Sequence, residues 1–112
     1  MINYNKKKFK VVTNTEQGDV SENMVFSYEQ DENIITCQYS GDNIKSGHLI
    51  GIVDTNSHIR MLYHQVDGKG KLKSGKCHSK PIILPSGKIQ LHETWEWILG
   101  DKGKGISIIE EI

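Results

Sequence analysis

The sequence contains no alanine, and that gap is its most informative feature. Alanine is the strongest helix former, so 112 residues without one supply helices poorly. Net charge is missing as well: 14 basic residues balance 14 acidic ones. The basic stripe that marks a nucleic-acid binder is therefore absent. Arginine is reduced to Arg60, which leaves little for bidentate capture of phosphate. No apolar run is long enough for a membrane-spanning helix, so no membrane partner is expected. Met1-Ile2-Asn3-Tyr4-Asn5 leads into lysines rather than into a secretory signal. Cysteine is limited to Cys37 and Cys77, expected as free thiols in a cytoplasmic protein. Residues 1–112 have room for one domain, with residues 1–7, including Lys6-Lys7-Lys8, expected as a flexible N-terminal segment.

What is present points to strands. Isoleucine occurs fifteen times, and β-branched residues favour sheets. Turn signals recur at nearly even spacing: Glu16-Gln17-Gly18-Asp19, Asp31-Glu32-Asn33, Gly41-Asp42-Asn43, Asp54-Thr55-Asn56-Ser57, Asp67-Gly68-Lys69-Gly70, Pro85-Ser86-Gly87 and Gly100-Asp101-Lys102-Gly103. Gly, Asn and Asp tolerate positive φ and Pro presets a turn, so these seven turns delimit eight strands. Short sequential hairpins predict an all-β fold, an eight-stranded antiparallel up-and-down barrel. Such a barrel has an interior just wide enough for side chains or one small ligand.

The segments alternate, and alternation assigns side chains to faces. Phe9 and Val11 share a face, as do Phe26 with Tyr28 and Cys37 with Tyr39. So do Ile59, Met61 and Tyr63; Gly75, Cys77 and Ser79; and Ile89, Leu91, Glu93, Trp95 and Trp97. Two segments sort less cleanly. In the run from Ile44 to Val53, Ile44, Ile50 and Ile52 are expected on one face and Leu49 and Val53 on the other. In the last segment Ile106 and Ile108 oppose Ser107, and Ile109 breaks the pattern. A strand that is apolar on both faces needs an outer cover, and a second copy is the simplest one.

Several patterns could carry chemistry. Gln65-Val66-Asp67-Gly68-Lys69-Gly70 fits the Q-x-x-G-x-G signature with which N-acetyltransferases hold coenzyme A phosphates at a helix N-terminus. Strand-like alternation follows it here, from Lys71 to Lys80 with Pro81 at the end, so the letters read as a hairpin turn. Cys77-His78 and His92-Glu93 are adjacent pairs that point to opposite faces of a strand. Neither C-x-x-C, H-E-x-x-H nor H-x-H occurs, so no metal site and no cofactor is expected. Cys77 reads as a small buried thiol rather than a nucleophile. Glu93 stands out, because a carboxylate among Ile89, Leu91, Trp95 and Trp97 is costly unless hydrogen-bonded or paired. With Tyr28, Tyr39, Tyr63, Cys77 and Ser79 it outlines an aromatic enclosure with a few polar groups, the makeup of a small-molecule site.

These residues also carry a family resemblance. The runs in question are Tyr39-Ser40-Gly41 with Ile44, Gly47, Leu49 and Gly51; Cys77-His78-Ser79 with Pro81; Leu84-Pro85-Ser86-Gly87; Leu91-His92-Glu93-Thr94-Trp95-Glu96-Trp97; and Gly105-Ile106-Ser107 before Glu110-Glu111. From about Phe9 onward the chain resembles small bacterial proteins often labelled "N-acetylglutamate synthase" and grouped as an avidin-like or calycin-like β-barrel family. The resemblance implies the barrel, while function lives in the site. Three readings follow. The first is a barrel binding a small, partly polar ligand against Tyr28, Tyr39, Tyr63, Cys77, Ser79, Glu93, Trp95 and Trp97. The second is an enzyme with Glu93 as acid or base, or the acetyltransferase of the label, which would need helices behind its motif. The third is an interaction protein with a filled core. The doubly apolar strand predicts a homo-oligomer. Sedimentation at about tens of micromolar should show a species heavier than the 12.7 kDa chain, and a lone monomer would count against association.

Overall fold

The computed structural model describes residues 2–14, 24–41 and 43–112. Every regular element among them is a strand: β1 (Lys8–Asn14), β2 (Val25–Ser27), β3 (Glu29–Asp31), β4 (Ile34–Gly41), β5 (Ile44–Val53), β6 (Ile59–Asp67), β7 (Leu72–Ile83), β8 (Ile89–Leu99) and β9 (Lys104–Glu111). They form one antiparallel sheet in the order β2-β1-β9-β8-β7-β6-β5-β4-β3. The two ends of that order are consecutive in the chain, so the sheet comes full circle apart from Tyr28. The strand count is nine rather than eight because the second segment divides there. Tyr28 is held from the side, donating its N–H to Lys7 O at 2.9 Å and accepting from Lys6 N at 2.8 Å.

The hairpins follow from their turn residues. Asp54 accepts the N–H groups of Asn56 and His58, and Ser57 takes a left-handed φ of 65°. Asp67 accepts from Lys69 and Lys71, and Gly70 has φ 85°. The Glu16–Asp19 turn lies outside the described residues, as does Asp42 of the third turn. Pro81 does not end β7, which continues to Ile83. Pairing with β6 stops at Ser79↔Ile59, so beyond it no bond to β6 is lost to the missing N–H.

Register shifts occur at Val11/Thr13, Tyr39/Gly41, Ile44/Ser46 and Ser74/Gly75, all toward one end of the barrel. Bulges of this kind are common at barrel rims. The shift at Ile44/Ser46 corrects the face assignment of β5. Ile44 turns inward with Leu49 and Val53, whereas Ile50 and Ile52 face outward. In β9, Ser107 and Ile109 both face in and Ile106 faces out. With Ile34 and Leu62, Ile50 and Ile52 leave an exposed apolar band across β4, β5 and β6.

The two ends of the barrel are filled differently. At the end away from the bulges, Tyr4, Phe9, Tyr28, Ile35, Ile59 and Leu91 are essentially inaccessible to solvent. Tyr4, Phe9 and Tyr28 stack with ring centroids 4.9–6.5 Å apart. Residues 2–7, expected as a flexible segment, are instead tied down. Tyr4 OH donates to Ser57 O at 2.6 Å, Ile2 N–H to Ser57 Oγ at 2.8 Å and Tyr4 N–H to Gln30 Oε1 at 2.9 Å. The lone tyrosine among lysines is the hydrophobic plug, while Lys6 and Lys8 stay exposed. Tyr4→Phe should cost about 1–2 kcal/mol by orphaning the Ser57 carbonyl, and Tyr4→Ala about 3–5 kcal/mol by opening a cavity. Urea denaturation measures both, and an Ala variant as stable as wild type would contradict the plug.

Candidate functional site

The other half of the barrel holds a partly enclosed cavity of about 80 Å³. Its wall is built by cross-strand rows. In one row Tyr63, Gly75 and Trp97 are direct neighbours on β6, β7 and β8. A Cβ on Gly75 would collide with the Tyr63 ring, so glycine is what lets Tyr63 and Trp97 meet edge to face at 5.4 Å. In a second row Gly47 lies between Tyr39 and Gln65. Tyr39 crosses over this glycine and donates its OH to Gln65 Oε1 at 3.0 Å. Trp95 turns its indole N–H to Asn14 Oδ1 at 3.2 Å and packs on Trp97 with centroids 6.1 Å apart. The polar tips of Tyr39 and Trp95 are thus engaged with amides, and their apolar bodies line the cavity.

Glu93 occupies a third row, between Ser79 on β7 and Ser107 on β9. Ser79 Oγ–H donates to Glu93 Oε2 at 2.9 Å and Ser107 Oγ–H to Oε1 at 3.0 Å. The Cys77 thiol is a third donor to the same carboxylate. Desolvation raises the Glu93 carboxyl above its ordinary 4.5, and these three hydrogen bonds pull it partly back. The Cys77 thiol is raised well above its usual value, chiefly by burial and then by the Glu93 charge. It therefore remains a protonated donor rather than a thiolate nucleophile. Burial likewise holds Tyr28 far above the ordinary tyrosine range, with Glu93 adding to the shift, and pushes Cys37 up to about 12.

Seven residues singled out in the sequence, Tyr28, Tyr39, Tyr63, Cys77, Glu93, Trp95 and Trp97, line this one cavity. Ser79 does not line it but stands behind Glu93, fully buried. The structure adds Asn14, Phe26, Leu49, Met61, Gln65, Ser107 and Ile109. Phe26, Leu49, Met61 and Ile109 look like any core residue in sequence. Ser107 could have been found from its inward parity, once β9 was registered against β8.

Of the Q-x-x-G-x-G run, Gln65 points into the barrel and the glycines form the β6–β7 turn, with a strand rather than a helix behind them. Among the described residues, no group of three His, Cys, Asp or Glu side chains converges as metal ligands. His58 Nδ1 and His78 Nε2 lie 3.2 Å apart on the outer surface, away from the cavity.

A family model described as avidin-like protein matches residues 2–112. Neither a curated protein nor a solved structure matches the chain.

The raised Glu93 carboxyl makes stability depend on pH. A carboxyl whose folded pKa exceeds its unfolded one favours folding when protonated. That contribution is complete below the unfolded value near 4.5 and is lost as pH rises through the folded one. Glu93→Gln is neutral throughout. Its melting temperature relative to wild type should therefore climb between about pH 4 and pH 8. A flat difference in melts across that range would show that Glu93 does not titrate as its burial requires.

Proposed function

Since the chain belongs to the avidin-like protein family, we propose that it binds a small, partly polar molecule inside the barrel. The observation that carries this reading is the Glu93 carboxylate on the wall of a half-open aromatic cavity. Small-molecule sites combine apolar walls with a few placed polar groups, and this cavity has that makeup. Trp95, Trp97, Tyr39 and Tyr63 would supply contact area, and Glu93, oriented by Ser79, Ser107 and Cys77, would fix the ligand's direction. Tyr28 would close the floor. The two halves of the barrel support this division of labour: one is packed solid around Tyr4, and the other keeps its space.

A binding role is favoured over an acid–base role by the company Glu93 keeps. Ser79, Ser107 and Cys77 all donate hydrogen bonds to it in neutral form, and Tyr28 is held protonated by burial. None of them is a second group poised to exchange a proton with substrate near neutral pH. The exposed band formed by Ile34, Ile50, Ile52 and Leu62 supports a companion proposal, that copies associate through this outer face.

Native mass spectrometry of freshly purified protein is expected to show a non-covalent adduct on the 12.7 kDa chain. Leu49→Phe, which places a larger side chain in the cavity wall, should keep the fold and lose the adduct. Bare wild-type protein, with a melting temperature unmoved by a panel of small polar compounds, would overturn the binding reading.

A further inference from the structure

The donors around Glu93 are two hydroxyls and a thiol, none of which carries positive charge. Among the described residues no ion pair includes Glu93. Residues 15–23 contribute no lysine, arginine or histidine to the sequence. An ionised carboxylate has about four acceptor positions, so three donors leave room for one more. The walls beside it are aromatic: Phe26, Tyr39, Tyr63, Trp95 and Trp97. Aromatic faces carry negative potential and attract cations, most strongly where water is excluded.

The chain already uses this combination once, next to the cavity. The Lys73 ammonium lies 5.4 Å from the Trp97 ring centre, with Asp101 at 3.3 Å and Asp67 at 3.8 Å. An ammonium between aromatic and carboxylate groups is thus a stable arrangement in this barrel. Lys73 is engaged by those two carboxylates and does not line the cavity.

Resting on the interior-binding reading above, we propose that the ligand is a small organic ammonium ion, its charged head held between the Glu93 carboxylate and the aromatic walls. An anionic ligand would meet Glu93 with like charge, and a neutral one would leave the carboxylate uncompensated in a low-dielectric site. The space limits the head group. About 80 Å³ is roughly half of the ~150 Å³ cavity that accommodates a benzene ring. A head of two or three heavy atoms fits, such as a primary alkylammonium whose N–H can reach the remaining acceptor position of Glu93, with any tail leaving toward the strand ends that carry Asn14 and Gln65.

The test compares ethanolamine, as its ammonium ion, with 1-propanol, which has the same shape with carbon in place of the charged nitrogen. Both tryptophans of the chain line the cavity, so intrinsic fluorescence reports occupancy directly. Ethanolamine should shift the emission saturably and bind at least about tenfold more tightly than the alcohol, the scale of a desolvated cation–π and charge contact. Glu93→Gln should collapse that difference. A measurement on the unaltered protein supports the variant: ethanolamine affinity should fall at acid pH as Glu93 protonates, while that of the alcohol stays level. Tyr28 and Cys77, the other titratable groups facing Glu93, remain protonated throughout and leave Glu93 as the group that changes.

If the alcohol binds as tightly as ethanolamine at neutral pH, the cation assignment is overturned while interior binding stands. If neither compound changes the emission, the cation assignment is again overturned. The native adduct and its loss in Leu49→Phe then judge interior binding separately.

Discussion

Glu93 is a carboxylate placed where water is scarce, and the arrangement of the barrel interior follows from the cost of keeping it there. An ionised carboxyl moved into an apolar surrounding loses its hydration and must recover it from fixed donors. Three strands cooperate in that recovery: β8 supplies the carboxylate, β7 supplies Ser79 and Cys77, and β9 supplies Ser107. Because direct cross-strand neighbours share one face, the registers of β7 and β9 against β8 cannot slip by one residue without sending these donors outside. The carboxylate therefore ties the pairing of the strands to the chemistry of the interior.

Around that row the barrel separates packing from space. At one end Tyr4, Phe9 and Tyr28 fill the interior and close the gap left between β2 and β3. At the other, Gly47 and Gly75 remove side chains from positions flanked by large aromatic or amide groups. Tyr39 and Tyr63 lean across those glycines instead of pointing straight inward, and their rings become walls. The register shifts of β1, β4, β5 and β7 lie at this same end, where strands bend away from regular closure. A cavity at the bulged end and a solid core at the other are two results of one distribution of large and small residues.

The outer surface shows a different economy. Most outward positions are polar, yet Ile34, Ile50, Ile52 and Leu62 form a contiguous band. Exposed apolar residues are ordinary singly, and it is this patch spanning several strands that carries the proposed association. It lies on the opposite side of the sheet from the cavity, so association through it would leave the interior accessible.

Much of this was legible in the chain itself. Missing alanine, abundant isoleucine and evenly spaced turns determined an all-β barrel, since each acts locally on backbone preference. Period-two alternation placed Tyr28, Tyr39, Tyr63, Cys77, Ser79, Glu93, Trp95 and Trp97 on inward faces, because side-chain direction in a regular strand depends only on parity. Parity fails at a bulge, which is why Ile44 faces inward against expectation. Tertiary structure alone decided which inward residues border space and which are packed. Tyr4 is the clearest case: among lysines it reads as a solvated tail, and only the distant Ser57 carbonyl and the open end of the barrel make it a plug. Ser107 became a partner of Glu93 for the same reason. Its role rests on the register between two strands, a long-range relation that no local pattern encodes.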